Sequence, residues 1–212
     1  MAEQAGDILL VRDRTSAAAI GQGVAQFFKY LAVAPLLISL GRNGGIKGAA
    51  IWNAGYSHAA ICVSRSEGWA HSTNAGTLTG ICNPSAGDLI FRCGNKKKAE
   101  AAALVGKTWA TGTDARKWKL GKALRSAVGS SSYGDDAKKH AAFYRANRAT
   151  RNGPPNQDWF CSMFVIACWQ AALDNDAQTQ QYMKIDAPYS TPMTLATYLE
   201  NNQEFWTKLE QT

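Results

Sequence analysis

Histidine is scarce in this 212-residue chain: there are three, His58, His71 and His140. Cysteine is sparse and odd in number, at five, and no Cys-x-x-Cys pair occurs. That pattern excludes a zinc ribbon and a thioredoxin-type redox motif and suits synthesis in a reducing compartment. No Gly-rich phosphate loop, Gly-x-Ser-x-Gly elbow or His-Glu-x-x-His pair is present, so nucleotide, serine-hydrolase and zincin chemistry lack their usual signatures. Long apolar runs are missing too. The stretch Ala17–Leu40 is interrupted by Gln22, Gln26 and Lys29, and its clean part, Leu31–Leu40, is shorter than the about 20 residues that span a bilayer. It reads as a helix over a core groove, or alternatively as one lying near a membrane surface. The opening Met1–Asp7 has no basic start and no apolar core, so no secretory leader is expected. No repeat of 20–50 residues and no low-complexity tail appears.

What is present fits one globular domain over residues 1–212, with a helical insertion at about 95–151. Charged residues make up 18% and apolar residues 46%, which is not a disordered composition. The net charge of +7 is local in origin. About 15 Lys and Arg residues lie between Arg92 and Arg151, against about 4 acids. Such a zone suits an anionic partner, whether cell-wall polymer, phospholipid or nucleic acid, and equally a solvated helical face.

The order of elements reads as strand, helix, β-rich block, helical block, helix. Gly6-Asp7 introduces the apolar run Ile8–Val11, and Gly87-Asp88 introduces Leu89–Cys93 in the same manner. Ser57–Val63, Glu67–Ser72 and Thr77–Ile81 have β character. Ala99–Trp109, Arg116–Val128 and Asp135–Arg148 read as helices, the first Ala-rich, the others with basic faces. Asn152-Gly153-Pro154-Pro155-Asn156 is a firm break before an apolar helix at Phe160–Leu173, with Asp158 a candidate cap. Pro192 at a first helical position with Thr191 as cap begins a last helix. The expected class is α+β, an antiparallel sheet with helices packed on it.

The residues able to do covalent chemistry are few. Cys161 sits at the start of the apolar helix, where the dipole and free N–H groups favour a thiolate and can hold an oxyanion. Its neighbours Phe160, Phe164 and Val165 are equally consistent with a core thiol. Cys168, two turns further on, reads as core, and so do Cys62 and Cys93. His58 opens the strand Ser57–Val63, either as a base or as a hydrogen-bonded structural imidazole. A hairpin centred near Arg65-Ser66-Glu67 brings His71 close to His58, where it is able to set the tautomer of that ring; the alternative is a surface histidine. His140, after Lys138-Lys139, is expected to face solvent. A zinc site from His58, His71 and Cys161 is chemically conceivable but matches no familiar spacing.

Taken together, Gly6-Asp7-Ile8-Leu9, Ser57-His58-Ala59-Ala60-Ile61 and Cys161-Ser162-Met163-Phe164-Val165 resemble, in that order, the circularly permuted branch of the NlpC-type papain-like cysteine hydrolases. Tyr189–Leu195 is similar to the Pro-containing segment after the family's Cys helix. The resemblance covers both ends of the chain and covers Lys96–Arg151 poorly. It implies a permuted papain-like fold and a Cys161–His58–His71 thiol amidase or peptidase that needs no cofactor and no metal. Tyr56, Ser57, Trp159 and Ser162, which flank the two motifs, are then the expected substrate contacts. Peptidoglycan stem or cross-link peptides are the family's most frequent substrate. A small basic member without a leader also resembles an antibacterial effector, made in a bacterial cytoplasm and delivered to a rival's periplasm by an apparatus such as type VI secretion. An immunity protein would be its natural partner; nucleic acid is not favoured. The rival expectations are a lipid acyl hydrolase or acyltransferase of the same fold, and a non-catalytic basic module on an anionic polymer.

Overall fold

Two Gly-Asp turns build the centre of the sheet, and they do so reciprocally. The computed structural model describes residues 2–12, 56–73, 76–80, 84–110, 130–155 and 157–209. Gly6 and Gly87 take φ of 85° and 96°, a region in which an L side chain is strained. The Asp7 carboxylate then accepts from the Gln4 amide at 2.8 Å, and Asp88 does the same from Ser85 at 2.8 Å. Each turn opens a strand, β1 (Ile8–Val11) and β5 (Leu89–Cys93), and the two strands pair antiparallel. Each aspartate also ties down the far end of the other strand. Arg92 Nε donates to Asp7 Oδ1 at 2.9 Å, and the Arg12 amide donates to Asp88 Oδ1 at 2.7 Å. The repeated Gly-Asp entry is therefore one device used twice.

Around this pair lies a six-stranded sheet of order β4-β3-β2-β1-β5-β6, with β2 (His58–Ser64), β3 (Gly68–Thr73), β4 (Gly76–Gly80) and β6 (Trp206–Leu209). All its pairings are antiparallel. Five helices accompany it among the described residues: α1 (Lys96–Ala110), α2 (Asp135–Ala146), α3 (Cys161–Ala172), α4 (Asp176–Tyr182) and α5 (Pro192–Asn201). The α+β class with an antiparallel sheet holds. Side chains alternate between two faces, as the pleat requires. Ile8, Leu10, Ala59, Ile61, Ala70 and Phe91 join the helices in the main core. Leu9, Ala60, Cys62, Trp69 and Ile90 form a second cluster on the other face.

α3 is buried on every side, which explains its unbroken apolar sequence. α1 and α2 both pack on it. α1 buries Ala99, Ala102, Ala103, Gly106 and Trp109 and lies on β2 and β3, so the start of the expected insertion is a core layer. Small residues let it approach: a Cβ at Gly106 would stand 3.0 Å from Ile61 Cγ2 and 3.6 Å from Ala70 Cβ. The two lysines of α2 are met locally, Lys138 by Asp135 at 3.4 Å and Lys139 by Asp136 at 2.9 Å, while Arg145 donates to Thr179 Oγ1 at 2.8 Å. The expected helices at Ala17–Leu40 and Arg116–Val128, and Cys82, lie outside the described residues. No described helix is long and apolar enough to cross a membrane.

Candidate active site

The chain reaches Cys161 through a sharp reversal. Asn152 and Gly153 both adopt positive φ, 69° and 77°, ahead of Pro154-Pro155. Gly153 fits beneath the stacked rings of Trp109 and Trp159, whose centroids are 5.3 Å apart. Trp159 and Phe160 are thereby anchored in the core, and α3 starts at the next residue. Asp158 is not the cap. The N-cap is Phe160, in extended conformation and with no side-chain cap hydrogen bond. Phenylalanine has no acceptor, so its side chain caps none of the first-turn amides, among which the nucleophile candidate sits.

Cys161 is only 4% exposed. Its Sγ points to the Ser57 carbonyl oxygen at 3.9 Å. Burial pushes the thiol up to about 11, and the amides of Ala59, Ser162 and Cys161 offset part of that shift. The sulfur therefore lies against the backbone that carries His58.

The two histidines are in direct contact: His58 Nε2 and His71 Nδ1 are 2.8 Å apart, with the rings edge to face. The cause lies in the ladder. Registered pairing of β2 with β3 stops at Ile61↔Ala70 at this end, so beyond it the imidazoles bridge the strands. Burial, and after it the neighbouring His71 ring, pulls His58 down to about 4; burial also lowers His71. Both rings are neutral near pH 7, and so is the thiol.

The structure thus brings Cys161, His58 and His71 to one end of β2 and β3, with two qualifications of geometry. The His58 ring bonds to His71 and not to Cys161. Alternation also places His58 with Ala60 and Cys62, on the face opposite the one α3 covers. Thiol and imidazole can meet only around the open end of the ladder.

The expected substrate contacts have internal partners instead. Trp159 is stacked in the core, and Ser162 Oγ donates to the Ser190 carbonyl at 2.7 Å. Tyr56 is buried, with its hydroxyl 3.5 Å from the Gly87 carbonyl. Ser57 alone of the four is part-exposed, and it offers its carbonyl to the thiol. The Ser162 bond pins the segment before Pro192 against the start of α3. That segment is held further by Ser190 Oγ donating to the Asp186 carbonyl at 2.6 Å. His140 is not simply solvent-facing: its Nδ1 is 2.9 Å from Asp186 Oδ1 and its ring stacks on Tyr144. That contact joins residues 46 apart, and nothing local in the sequence signals it. Among the described residues no three His, Cys, Asp or Glu side chains cluster to hold a metal. Two surface depressions, beside Trp206 and beside Arg92, are lined by none of Cys161, His58 and His71.

The half-buried His58 predicts acid sensitivity. A free imidazole protonates near 6.5, while His58 in the fold resists until about 4. Between those values the unfolded chain binds more protons, so stability is fully present above 6.5 and falls as the pH drops toward 4. With the ring partly exposed, the loss is about 2 kcal/mol. Urea unfolding at pH 7 and pH 4.5 should show that loss in the wild type and a smaller one in His58→Gln. Equal losses in both would refute the assignment.

No family model, curated protein or solved structure matches this chain.

Proposed function

We propose that the protein is a cysteine hydrolase of the permuted papain-like kind, cleaving amide bonds with Cys161 as nucleophile and His58 as base. The observation that carries this reading is the uncapped start of α3, with Cys161 at its first position and the His58–His71 pair at the adjoining end of β2. The resemblance of the three sequence motifs supports it independently.

The roles follow from the hydrogen bonding. For His58 to accept a proton at Nδ1, its Nε2 must carry hydrogen and donate to His71 Nδ1. His71 then fixes the tautomer and stabilises the imidazolium once it forms. Both resting groups are neutral, so the proton leaves Sγ for His58 during attack and not before it. The first amides of α3 hold the oxyanion. His58 returns the proton to the leaving amine, and water releases the acyl group from sulfur. Attack needs His58 Nδ1 to swing to the thiol around the open strand end; catalytic hydrogen bonds often tighten only when substrate is bound.

For substrate we propose peptidoglycan stem or cross-link peptides, with the protein acting as an antibacterial effector in a target cell's periplasm. The test is incubation with purified peptidoglycan and mass analysis of soluble fragments. Wild type should release peptide fragments with new termini that Cys161→Ala does not release. Identical fragment profiles for the two proteins would rule the reading out.

A further inference from the structure

Among the described residues three buried hydroxyls have no hydrogen-bond partner: that of Tyr144 in the helical core and, on the sheet, Ser72 Oγ on β3 and Thr77 Oγ1 on β4. Ser72 is 1% exposed and Thr77 5%. They are registered partners across the β3–β4 ladder, yet neither bonds to the other. Leaving a buried hydroxyl unpaired costs about 1–3 kcal/mol, and native proteins seldom tolerate two side by side.

Their position gives the reason. Ser72 alternates with Ala70, and Ala70 faces Gly106 of α1 together with Ile61. Ser72 is therefore on the helix-covered face, the face of Cys161. The registered pairing ends at Ile61↔Ala70; continued two residues further, that register would set Ser72 opposite Ala59. The Cys161 sulfur lies at that end of β2, 3.9 Å from the Ser57 carbonyl oxygen. One strand over from the nucleophile, on its own side of the sheet, stands a hydroxyl free to donate.

Resting on the cysteine-hydrolase reading above, we propose that Ser72 is a substrate-contacting residue whose Oγ–H donates to the carbonyl oxygen of the acyl group that Cys161 attacks, with Thr77 beside it binding the next polar atom of the same substrate. In the step concerned the Sγ–C bond forms and the carbonyl π pair moves onto oxygen. Ser72 and the amides of Cys161 and Ser162 hold that charge. The thiol proton passes to His58, then to the leaving group as its bond to carbon breaks. The ligand class is an acyl compound with a further polar group, which suits an extended peptide.

An activated ester tests this without the natural substrate. p-Nitrophenyl acetate reacting at Cys161 gives an acetyl thioester and p-nitrophenol, seen as a burst. Ser72→Ala should slow that burst about 100-fold or more, and Thr77→Val much less. Alkylation of Cys161 by iodoacetamide, which develops no oxyanion, should be unchanged, and the melting temperature equal or higher, because an unpaired buried group has been removed. A Ser72→Ala burst within twofold of wild type overturns the inference. So does a parallel fall in acylation and alkylation, the mark of a structural role. If Cys161→Ala keeps the wild-type burst, or wild type gives none, the hydrolase reading itself fails and Ser72 falls with it.

Discussion

Replacing Gly6 with alanine is expected to remove a large share of the protein's folding stability. The residue holds φ of 85°, where an L side chain costs about 1–2 kcal/mol on backbone grounds alone. Steric contact adds more. A Cβ at Gly6 would lie 2.6 Å from the Ala99 carbonyl carbon and closer still to its oxygen. These are backbone atoms of α1, so no rotamer change relieves the clash; either the turn or the helix must move. Overpacking of that kind costs about 1–3 kcal/mol or more, and the sum is a large share of an ordinary domain's stability. Gly87 is the built-in control. It has the same role and a φ of 96°, but the nearest atom to an added Cβ is Arg12 Cδ at 3.7 Å. Gly87→Ala should cost only about 1–2 kcal/mol. Urea titrations of the two variants separate the effects, and equal midpoints would show that α1 does not press on the β1 turn.

The second large effect is on turnover. Cys161→Ala should abolish hydrolysis, a loss on the order of 10⁴-fold or more, and His58→Ala should come close to it. Neither loss should trace to unfolding. A buried Cys→Ala change removes one sulfur's packing and costs about 1 kcal/mol. His71→Ala acts through His58 and should cost less, about 10–100-fold, with the acid limb of the pH profile displaced because His58 loses the neighbour that helps lower its pKa. The double variant Cys161→Ala/His58→Ala should be no slower than the single Cys161→Ala, since groups in one relay do not add. Activity that survives Cys161→Ala would remove the assignment, whatever the other variants did.

Local signals carried far in this chain. The two Gly-Asp entries, the Asn152-Gly153-Pro154-Pro155 break and the Thr191-Pro192 start were legible because each satisfies a backbone need within three or four residues. Thr191 Oγ1 does accept the Thr194 amide, at 3.2 Å, as a cap should. A signal of the same kind stands at α4, where no helix was expected: Asn175 caps it by accepting the Gln178 amide at 3.0 Å. β6 was not legible. Its four residues, Trp206 to Leu209, become a strand only by pairing with β5, more than a hundred residues earlier.

The sequence by itself determined most of the elements and their approximate bounds, and which few residues are candidates for covalent chemistry, because turn geometry, caps and alternation are short-range physics. It also determined that His58 shares a strand face with Ala60 and Cys62, since the pleat has a period of two. Only the tertiary structure decided which face α3 would cover, and so that thiol and imidazoles stand on opposite sides of the sheet near an open strand end. It likewise decided that Trp159 and Ser162 serve the core, that α1 is a core layer, and that His140 finds Asp186. Those outcomes depend on which surfaces bury the most apolar area against one another. That sum runs over the whole chain, and no window of sequence contains it.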